Sequence, residues 1–481
     1  MIFDCVFLEK EMSKNMNNEC LNPETLSQPQ NMTFSSDFSC NISGHMYEIK
    51  SVSTETFDSF VKQHPHTDVC QLYTWAKVKE PAWTSEQVAL FCDGEMVGSA
   101  SLLFRKIPMT PWSLCYSPRG FLVNFDKSDD VEAMVKACKH VASKHGAFEI
   151  KLDPNIERRY GDVAIRRLKE NGFSHKGFTM GMGDSQPRFA MITYIDRSED
   201  SVFSSFEKKA QRFINRSEKF QLDIKEYGKS GSAIFDDIMN ITGKRNNFLT
   251  RDKAYFDKVL GSLGQDDAEL YLVSTTYSHL YQIKVNEKDA LVKEKESFEK
   301  KKAKLLTKIE EESVDEETIE SFKNKINNFD DKIDKLEIKI KAISELIDSS
   351  LEDKVKSGKG DERIYLSGAL MVYCGHLAYY LYGASTNEYR DLLPNYFMQW
   401  ELMKIAMQKG CKFYDFGGVS GYTEEDDLER DHAAGLYYFK KVFGTYLHER
   451  IGEFDLTIKP GAKSLFNTAM KLRKFILSLR K

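Results

Sequence analysis

The chain has 481 residues, 41% of them hydrophobic and 29% charged, a length and composition that predict roughly two to four soluble domains with cores of their own. Lysine and arginine number 68 against 73 acidic residues, a net charge of −5, which excludes a uniformly basic nucleic-acid coat and an acidic disordered tail. Nine cysteines are scattered with no C-x-x-C pair, the usage of reduced cytosolic thiols rather than of a disulfide framework or a zinc site.

Residues 1–45 are rich in Asn, Ser and Met without a sustained period and are expected to be a disordered extension. Asp4 and Glu9 interrupt the short apolar start, and no basic residue precedes it, so it does not read as a secretory signal. Patterning begins at Met46, itself a possible start, with a strand and then a helix in MYEIKSVSTETFDSFV. VALFCDGEMVGSASLLF predicts a hairpin turning at Asp93-Gly94. SLCYSPRGFLV, a helix near 128–145, Gly146 and the strand AFEIKLD follow. A second block begins with the hairpin RIYLSGALMVYCGHLAYYLYGAS, turning near Cys374-Gly375, then a helix near 392–409, Gly410 and the strand CKFYDFGG. SKHGAFEIKLD and MQKGCKFYDFG occupy matching places, which predicts one α/β (α+β) domain used twice. The uncharged interval between Arg363 and Glu388 holds His376 and five tyrosines, too polar for a membrane span and better explained as paired buried strands.

Between the blocks, Ile319, Phe322, Ile326, Phe329, Ile333, Leu336, Ile340, Ile343 and Ile347 alternate spacings of three and four, a heptad seam. Leu291, Phe298, Leu305 and Ile309 form a weaker partner helix upstream, and EEESVDEE joins the two, with Ser313 and Glu316 at capping-box spacing. The pattern predicts an antiparallel coiled-coil arm over 285–358 in preference to a dimerisation coiled coil, with helices of about 45 Å at ~1.5 Å per residue. No proline lies between Pro187 and Pro394, which permits such helices. From Lys459 to Lys481 there are seven basic residues and no acid, interleaved with apolar ones. This predicts a basic amphipathic helix, 459–481, suited to anionic lipid, to RNA phosphate, or to packing on the body.

Standard catalytic signatures are missing: no Walker loop, no H-E-x-x-H, no G-x-S-x-G, no G-x-G-x-x-G and no acetyl-coenzyme A pyrophosphate loop. What remains are cations among apolar residues. Gln71, Trp75 and Lys79 share a helical spacing, as do Phe248, Arg251 and Tyr255, and Phe439-Lys440 precede Glu453. Lys and Arg in such places suit phosphate, Arg as a planar fork and Lys as a point charge.

In order, QLYTWAKVK, YSPRGFLV, FEIKLDP, QPRF, FLTRDKAYF, LYGAS, LPNYFMQWELMKIAMQKGCKFYDFGGVSG, GLYYFKKVFG and IGEFD resemble the FemABX family of peptidoglycan interpeptide-bridge aminoacyltransferases, over about 46–458. The resemblance implies two GNAT-like acyltransferase domains, 46–190 and 191–284 with 359–458, around the inserted arm. It also implies transfer of an amino acid from aminoacyl-tRNA to an amino group on the stem peptide of a peptidoglycan precursor, lipid II or UDP-MurNAc-pentapeptide, without metal or coenzyme A. On this resemblance Lys79, Arg251 and Tyr255 contact the precursor diphosphate and Tyr382 lies along the same cleft. Phe439 and Lys440 lie near the aminoacyl end, Lys440 stabilising charge on the ester carbonyl, and Glu453 lines that region. Asn124 stands where the family often has Asp, and Gln211-Arg212-Phe213-Ile214 departs from its usual run. An aminoacyl ester is already activated, so orientation and oxyanion stabilisation supply most of the expected acceleration; Asp415, Glu453 or a substrate phosphate is left as base. The cysteine usage favours a cytoplasmic location, and the basic C-terminal helix favours a lipid-linked acceptor and a peripheral contact at the inner membrane face. Alternatives are a GNAT-fold enzyme acting on another amine acceptor and a non-catalytic coiled-coil scaffold.

Overall fold

A computed structural model describes residues 37–181, 185–310, 315–423 and 434–478. Most of the N-terminal extension, Ser313 and the last three residues fall outside it. Sixteen strands form two sheets. They are β1 (Ser39–Ile42), β2 (His45–Ile49), β3 (Thr84–Cys92), β4 (Glu95–Lys106), β5 (Ser113–Ser117), β6 (Leu122–Val123), β7 (Ala147–Leu152), β8 (Ser174–His175), β9 (Phe189–Tyr194), β10 (Asp223–Glu226), β11 (Ala268–Thr276), β12 (Arg363–Cys374), β13 (Leu377–Ser385), β14 (Phe413–Val419), β15 (Tyr446–Glu449) and β16 (Phe454–Thr457). The first sheet runs β1-β2-β3-β4-β5-β7-β16-β8, with β6 on β4, and the second β10-β11-β12-β13-β14-β9-β15. β1, ahead of Met46, pairs antiparallel with β2, so residues 39–45 are ordered and not part of a disordered extension. The turn is held by Gly44 N donating to Asn41 Oδ1 at 3.1 Å.

The helices used below are α1 (Thr54–Gln63), α2 (Tyr73–Lys79), α3 (Ser128–Lys144), α4 (Lys208–Glu218), α5 (Ser232–Asn246), α6 (Lys253–Asp267), α7 (Tyr277–Glu310), α8 (Glu316–Leu346), α9 (Pro394–Gln408), α10 (Ala434–Lys441) and α11 (Pro460–Ser478). The expected helices near 128–145 and 392–409 are α3 and α9.

The repeat is real, but its registration differs from the sequence reading. The parallel pair β5–β7, spanned by α3, matches the parallel pair β13–β14, spanned by α9. Counting outward, β3–β4 then corresponds to β11–β12, not to β12–β13. The two apolar hairpins compared in the sequence are therefore not equivalents. The tight Asp93-Gly94 turn of the first copy is replaced, between β11 and β12, by the whole helical arm, which hides the correspondence. The first sheet borrows across the chain: β16 lies in it between β7 and β8, while β9, the first strand of the second unit, lies in the second sheet between β14 and β15.

Alternation with period two sorts the second sheet's faces. Leu270, Leu272, Leu370 and Val372 join the core that holds α5, α6 and the whole first unit. Tyr271, Val273, Ala369 and Met371 face the core under α4 and α9. The first core thus runs unbroken between the two units, each fully buried aliphatic or aromatic side chain contributing about 1.5–3 kcal/mol. Contacts at the join are close. Lys62 Nζ reaches both Asp267 oxygens at 2.7 Å, and Gly375, at φ +57°, lies where a Cβ would meet Lys62 O at 2.1 Å, so only glycine fits.

The arm is an antiparallel pair. Lys295 bonds Glu337, Lys302 bonds Asp330, and the Phe298 and Phe329 rings lie 5.7 Å apart. Ile326 and Leu336 on the predicted seam are buried, while Ile338 off it is 69% exposed. The cap of α8 is Asp315, whose carboxylate accepts from Thr318 N at 2.8 Å, two residues on from the expected Ser313–Glu316 pair. The arm is rooted in the body: Leu280 and Ile283 of α7 and Leu351 beyond α8 are buried in the second core.

Replacing 291–341 with a Gly/Ser linker of about five residues, enough to cross the ~10 Å between the helices, is therefore expected to leave a folded body. Leu351→Ala is expected to cost about 2–5 kcal/mol through the cavity it leaves. Urea unfolding of both variants checks this, and global unfolding of the arm deletion would show that the distal arm is integral to the body.

Candidate active site between the two sheets

The parallel strands β13 and β14 are paired only from Leu377–Phe413 to Tyr379–Asp415. Beyond that point they part, and the β14–β9 ladder is interrupted between Asp415 and Gly418. The interruption is a bulge of the kind that re-aims backbone groups beside functional sites. Gly417, at φ +83°, makes the kink without the strain a side chain would bring, and its N–H donates to Asp415 Oδ1 at 2.6 Å. The carbonyls of Gly417 and Gly418 are turned onto Lys440 Nζ of α10, which donates to them at 3.0 and 2.9 Å.

Lys440 is 2% exposed. Burial pushes its ammonium down to about 7, with the Asp415 carboxylate pulling the other way. A lysine held between its charged and neutral forms by burial is typical of functional positions.

Gly417 and Gly418 line a cavity of about 40 Å³ in the splay, together with Tyr379, Tyr380, Asp68, Cys70, Arg119, Asp415 and Arg450. Arg119, Gln186 and Arg450 are shared with an adjoining cavity of about 120 Å³, which Asp153, Arg188 and Glu453 also line. The cleft wall is a layer of buried charge. Arg119 Nη1 lies 3.0 Å from Asp153 Oδ2, and the Arg119 backbone N–H donates to Asp153 Oδ1 at 2.9 Å. This pairing holds Arg119 at φ +57°, a left-handed conformation uncommon for such a residue. Tyr116 OH also donates to Asp153, at 3.0 Å. Burial pushes Asp153 up to about 6, with Arg119 opposing. Arg450 Nη2 lies 3.5 Å from Asp415 Oδ2, and its Nε donates to Asn155 Oδ1 at 2.8 Å. Arg188 pairs with Glu449. Glu453 accepts from Ser185 N at 2.9 Å.

The residues expected from the sequence fall into two groups. Lys440 and Glu453 belong to this cleft, one beneath the first cavity and the other on the wall of the second. Phe439 is a packing residue, its ring 5.7 Å from Tyr396 and 5.4 Å from Phe443, and it lines neither cavity. The second group joins the two units. Tyr255 OH and Tyr382 OH are 3.5 Å apart, and the Arg251 guanidinium lies 4.9 Å over the Tyr255 ring. Lys79 Nζ lies 4.9 Å over the Trp75 ring and acts electrostatically on both Lys258 and the cavity residue Cys70. Burial depresses the Lys258 amine, and Lys79 depresses it further. Lys79 of α2 and Lys258 of α6 thus place cations on facing helices, with Arg251 in the segment just before α6, a setting for phosphate. Gln71 departs from expectation: it lies in a separate 3₁₀ turn, Val69–Gln71, and bonds Pro118 O at 2.6 Å and Ser101 N at 3.0 Å, a structural role. Asn124 accepts from Asp126 N at 3.0 Å within a turn.

Arg119, Asp153, Arg188 and Arg450 were missed as site residues. Their signal was faint: single charges at the ends of apolar strands, as in FEIKLDP and HERIGEF. Among the described residues one group of metal-type donors converges, His45, Cys92 and Asp93, within 4.8 Å. It lies on β2 and the β3–β4 turn, outside the cleft.

Two repeated sheets, the second splayed over a buried lysine, make a tandem α/β fold with a cleft between its halves. The chain belongs to the FemAB family, whose model matches residues 52–471. It is 38% identical over 415 residues to a lipid II:glycine glycyltransferase of Staphylococcus epidermidis, covering 85% of this chain and 93% of that protein. A protein of the same description from Staphylococcus haemolyticus is 39% identical over 415 residues, with the same coverage. The crystal structure of FemX superposes with a TM-score of 0.68 at 36% identity, covering 87% of this chain and 99% of FemX. The enzyme is an aminoacyltransferase, and no helix among the described residues is long and apolar enough to cross a membrane.

The position of Lys440 has a measurable consequence. A lysine titrates near 10.5 in the unfolded chain and near 7 when folded. Between those values only the unfolded chain holds the proton, so stability rises with pH across that window and is flat below it. Unfolding of the wild type and Lys440→Met at pH 6, 7.5 and 9 is expected to show a difference that moves in favour of the wild type above pH 7. A pH-independent difference would remove the shift.

Proposed function

We propose that the protein transfers glycine from glycyl-tRNA to an amino group on the stem peptide of lipid II, forming an interpeptide-bridge amide with no cofactor. The observation that carries this reading is the buried Lys440 ammonium, bonded to the two glycine carbonyls of the β14 bulge, behind a cleft walled by buried acids and arginines. The names of the relatives support lipid II as acceptor and glycine as the residue moved.

The chemistry asks little of the protein beyond placement. The acceptor nitrogen attacks the ester carbonyl carbon and the C–O bond to the tRNA ribose breaks. The proton lost from nitrogen ends on the departing ribose oxygen. Lys440 offsets the negative charge that develops on the carbonyl oxygen, in a site dry enough for that interaction to be strong. Asp415 or Glu453 takes the proton from the amine. Lys79, Arg251, Tyr255 and Tyr382 hold the diphosphate of lipid II, and Phe439 braces the helix that carries Lys440.

Purified protein given lipid II and glycyl-tRNA is expected to add one glycine in a reaction abolished by RNase. Transfer that survives RNase and needs an acyl-coenzyme A would overturn the proposal. Lys440→Met is expected to lower turnover on the order of 10²–10³-fold with the fold retained, whereas Arg251→Ala is expected to raise KM for lipid II more than it lowers kcat. Unchanged turnover in Lys440→Met would remove its role.

A further inference from the structure

Helix α11, directly after β16, carries two distinct apolar stripes. One seats it on the body: Ala462 is buried, the Phe466 ring lies 5.1 Å from that of Phe148, and Lys463 pairs with Glu149. The other lies about 100° around the helix from Phe466. It holds Leu465 and Leu472, 62% and 58% exposed. Their separation of seven residues puts them on one face, and the sequence continues that spacing with Ile476 and Leu479, four and seven residues beyond Leu472. The exposed Lys471 adjoins Leu472. Across the segment the seven cations stand against no acid.

We propose that α11 docks the protein on an anionic lipid bilayer, lying in the plane of the surface with the Leu465–Leu472 stripe among the headgroups and acyl ends. Two exposed leucines on an otherwise cationic helix gain nothing from water. RNA phosphate would use the cations but leave the leucines unpartnered. A bilayer uses both, through apolar burial and attraction to anionic headgroups, with the lysine stems snorkelling to the surface. The connection to the cleft is short. Glu453 immediately precedes β16, whose four residues span about 13 Å before α11 begins. This docking deepens the lipid II reading and rests on it for its purpose: a bilayer under α11 brings a lipid-tethered acceptor to the same sheet that carries Glu453.

The test is co-sedimentation of the full chain with vesicles of phosphatidylglycerol and phosphatidylcholine that contain no lipid II. The wild type is expected to bind these vesicles and not pure phosphatidylcholine, more weakly at 0.5 M NaCl. Leu465→Glu with Leu472→Glu is expected to weaken binding at least tenfold while leaving the melting temperature and transfer to detergent-solubilised lipid II unchanged, because both side chains face solvent. Absence of wild-type binding, or binding of the double variant at wild-type strength, would overturn the docking. So would cations that serve tRNA binding alone. Failed vesicle binding with intact glycyl transfer sinks only this inference, whereas vesicle binding without transfer sinks only the assigned reaction.

Discussion

The structure hangs on a layer of buried charge where the two sheets meet. The chain crosses between them twice, from β8 to β9 and from β15 to β16. At those crossings Arg119, Arg188 and Arg450 are buried against Asp153, Glu449 and Asp415. Burying such groups is unfavourable unless each is paired and hydrogen-bonded, so their partners fix how the crossings run. The backbone follows suit: Arg450 N donates to Arg188 O at 2.9 Å and Lys176 N to Glu453 O at 2.9 Å. The first sheet also takes its strand β16 from beyond the whole second unit, so it is complete only after the second crossing.

The same layer sets the chemistry. Low local dielectric strengthens charges in and beside the cleft, and the ammonium of Lys440 lies one hydrogen bond behind the two glycines that line it. Burial alone would strip its proton. The Asp415 carboxylate opposes that loss, leaving the group near 7, and the two glycine carbonyls accept its hydrogen bonds. The carbonyls are available because β13 and β14 separate after three paired residues and β14 bulges at Gly417. Strand splay, bulge and lysine therefore act as one device, and the glycine-rich FYDFGGV stretch is its sequence trace.

What the sequence made legible was local. The heptad seam lies within a single helix, so its period predicted both helices and their buried faces. Helices α3 and α9 followed from flanking glycines and apolar spacing, and Lys440 and Glu453 from short motifs. What escaped was non-local. Nothing near β16 says that it joins β7 rather than the neighbouring β15, because strand pairing depends on partners hundreds of residues away. The repeat was misregistered for a related reason: an arm in place of a two-residue turn broke the hairpin pattern that marked its equivalent. Arg119 and Arg450 were not singled out, since a buried arginine is recognised by its partner and not by its neighbours in the chain.

The site of the arm also follows from the charged layer. An insertion at the crossings would have to preserve several buried pairs at once, whereas the β11–β12 turn carries no such obligation. Its strands stay paired from Ala268–Val372 to Thr276–Arg363, so a long excursion there costs mainly slowly growing loop entropy. Leu280, Ile283 and Leu351 then anchor the excursion to the second core, stiffening its base while leaving the distal pair to its own seam. The C-terminal helix obeys the same rule, added after the last sheet strand. New surfaces attach where the chain leaves a sheet, and the seam between the sheets is left to the reaction.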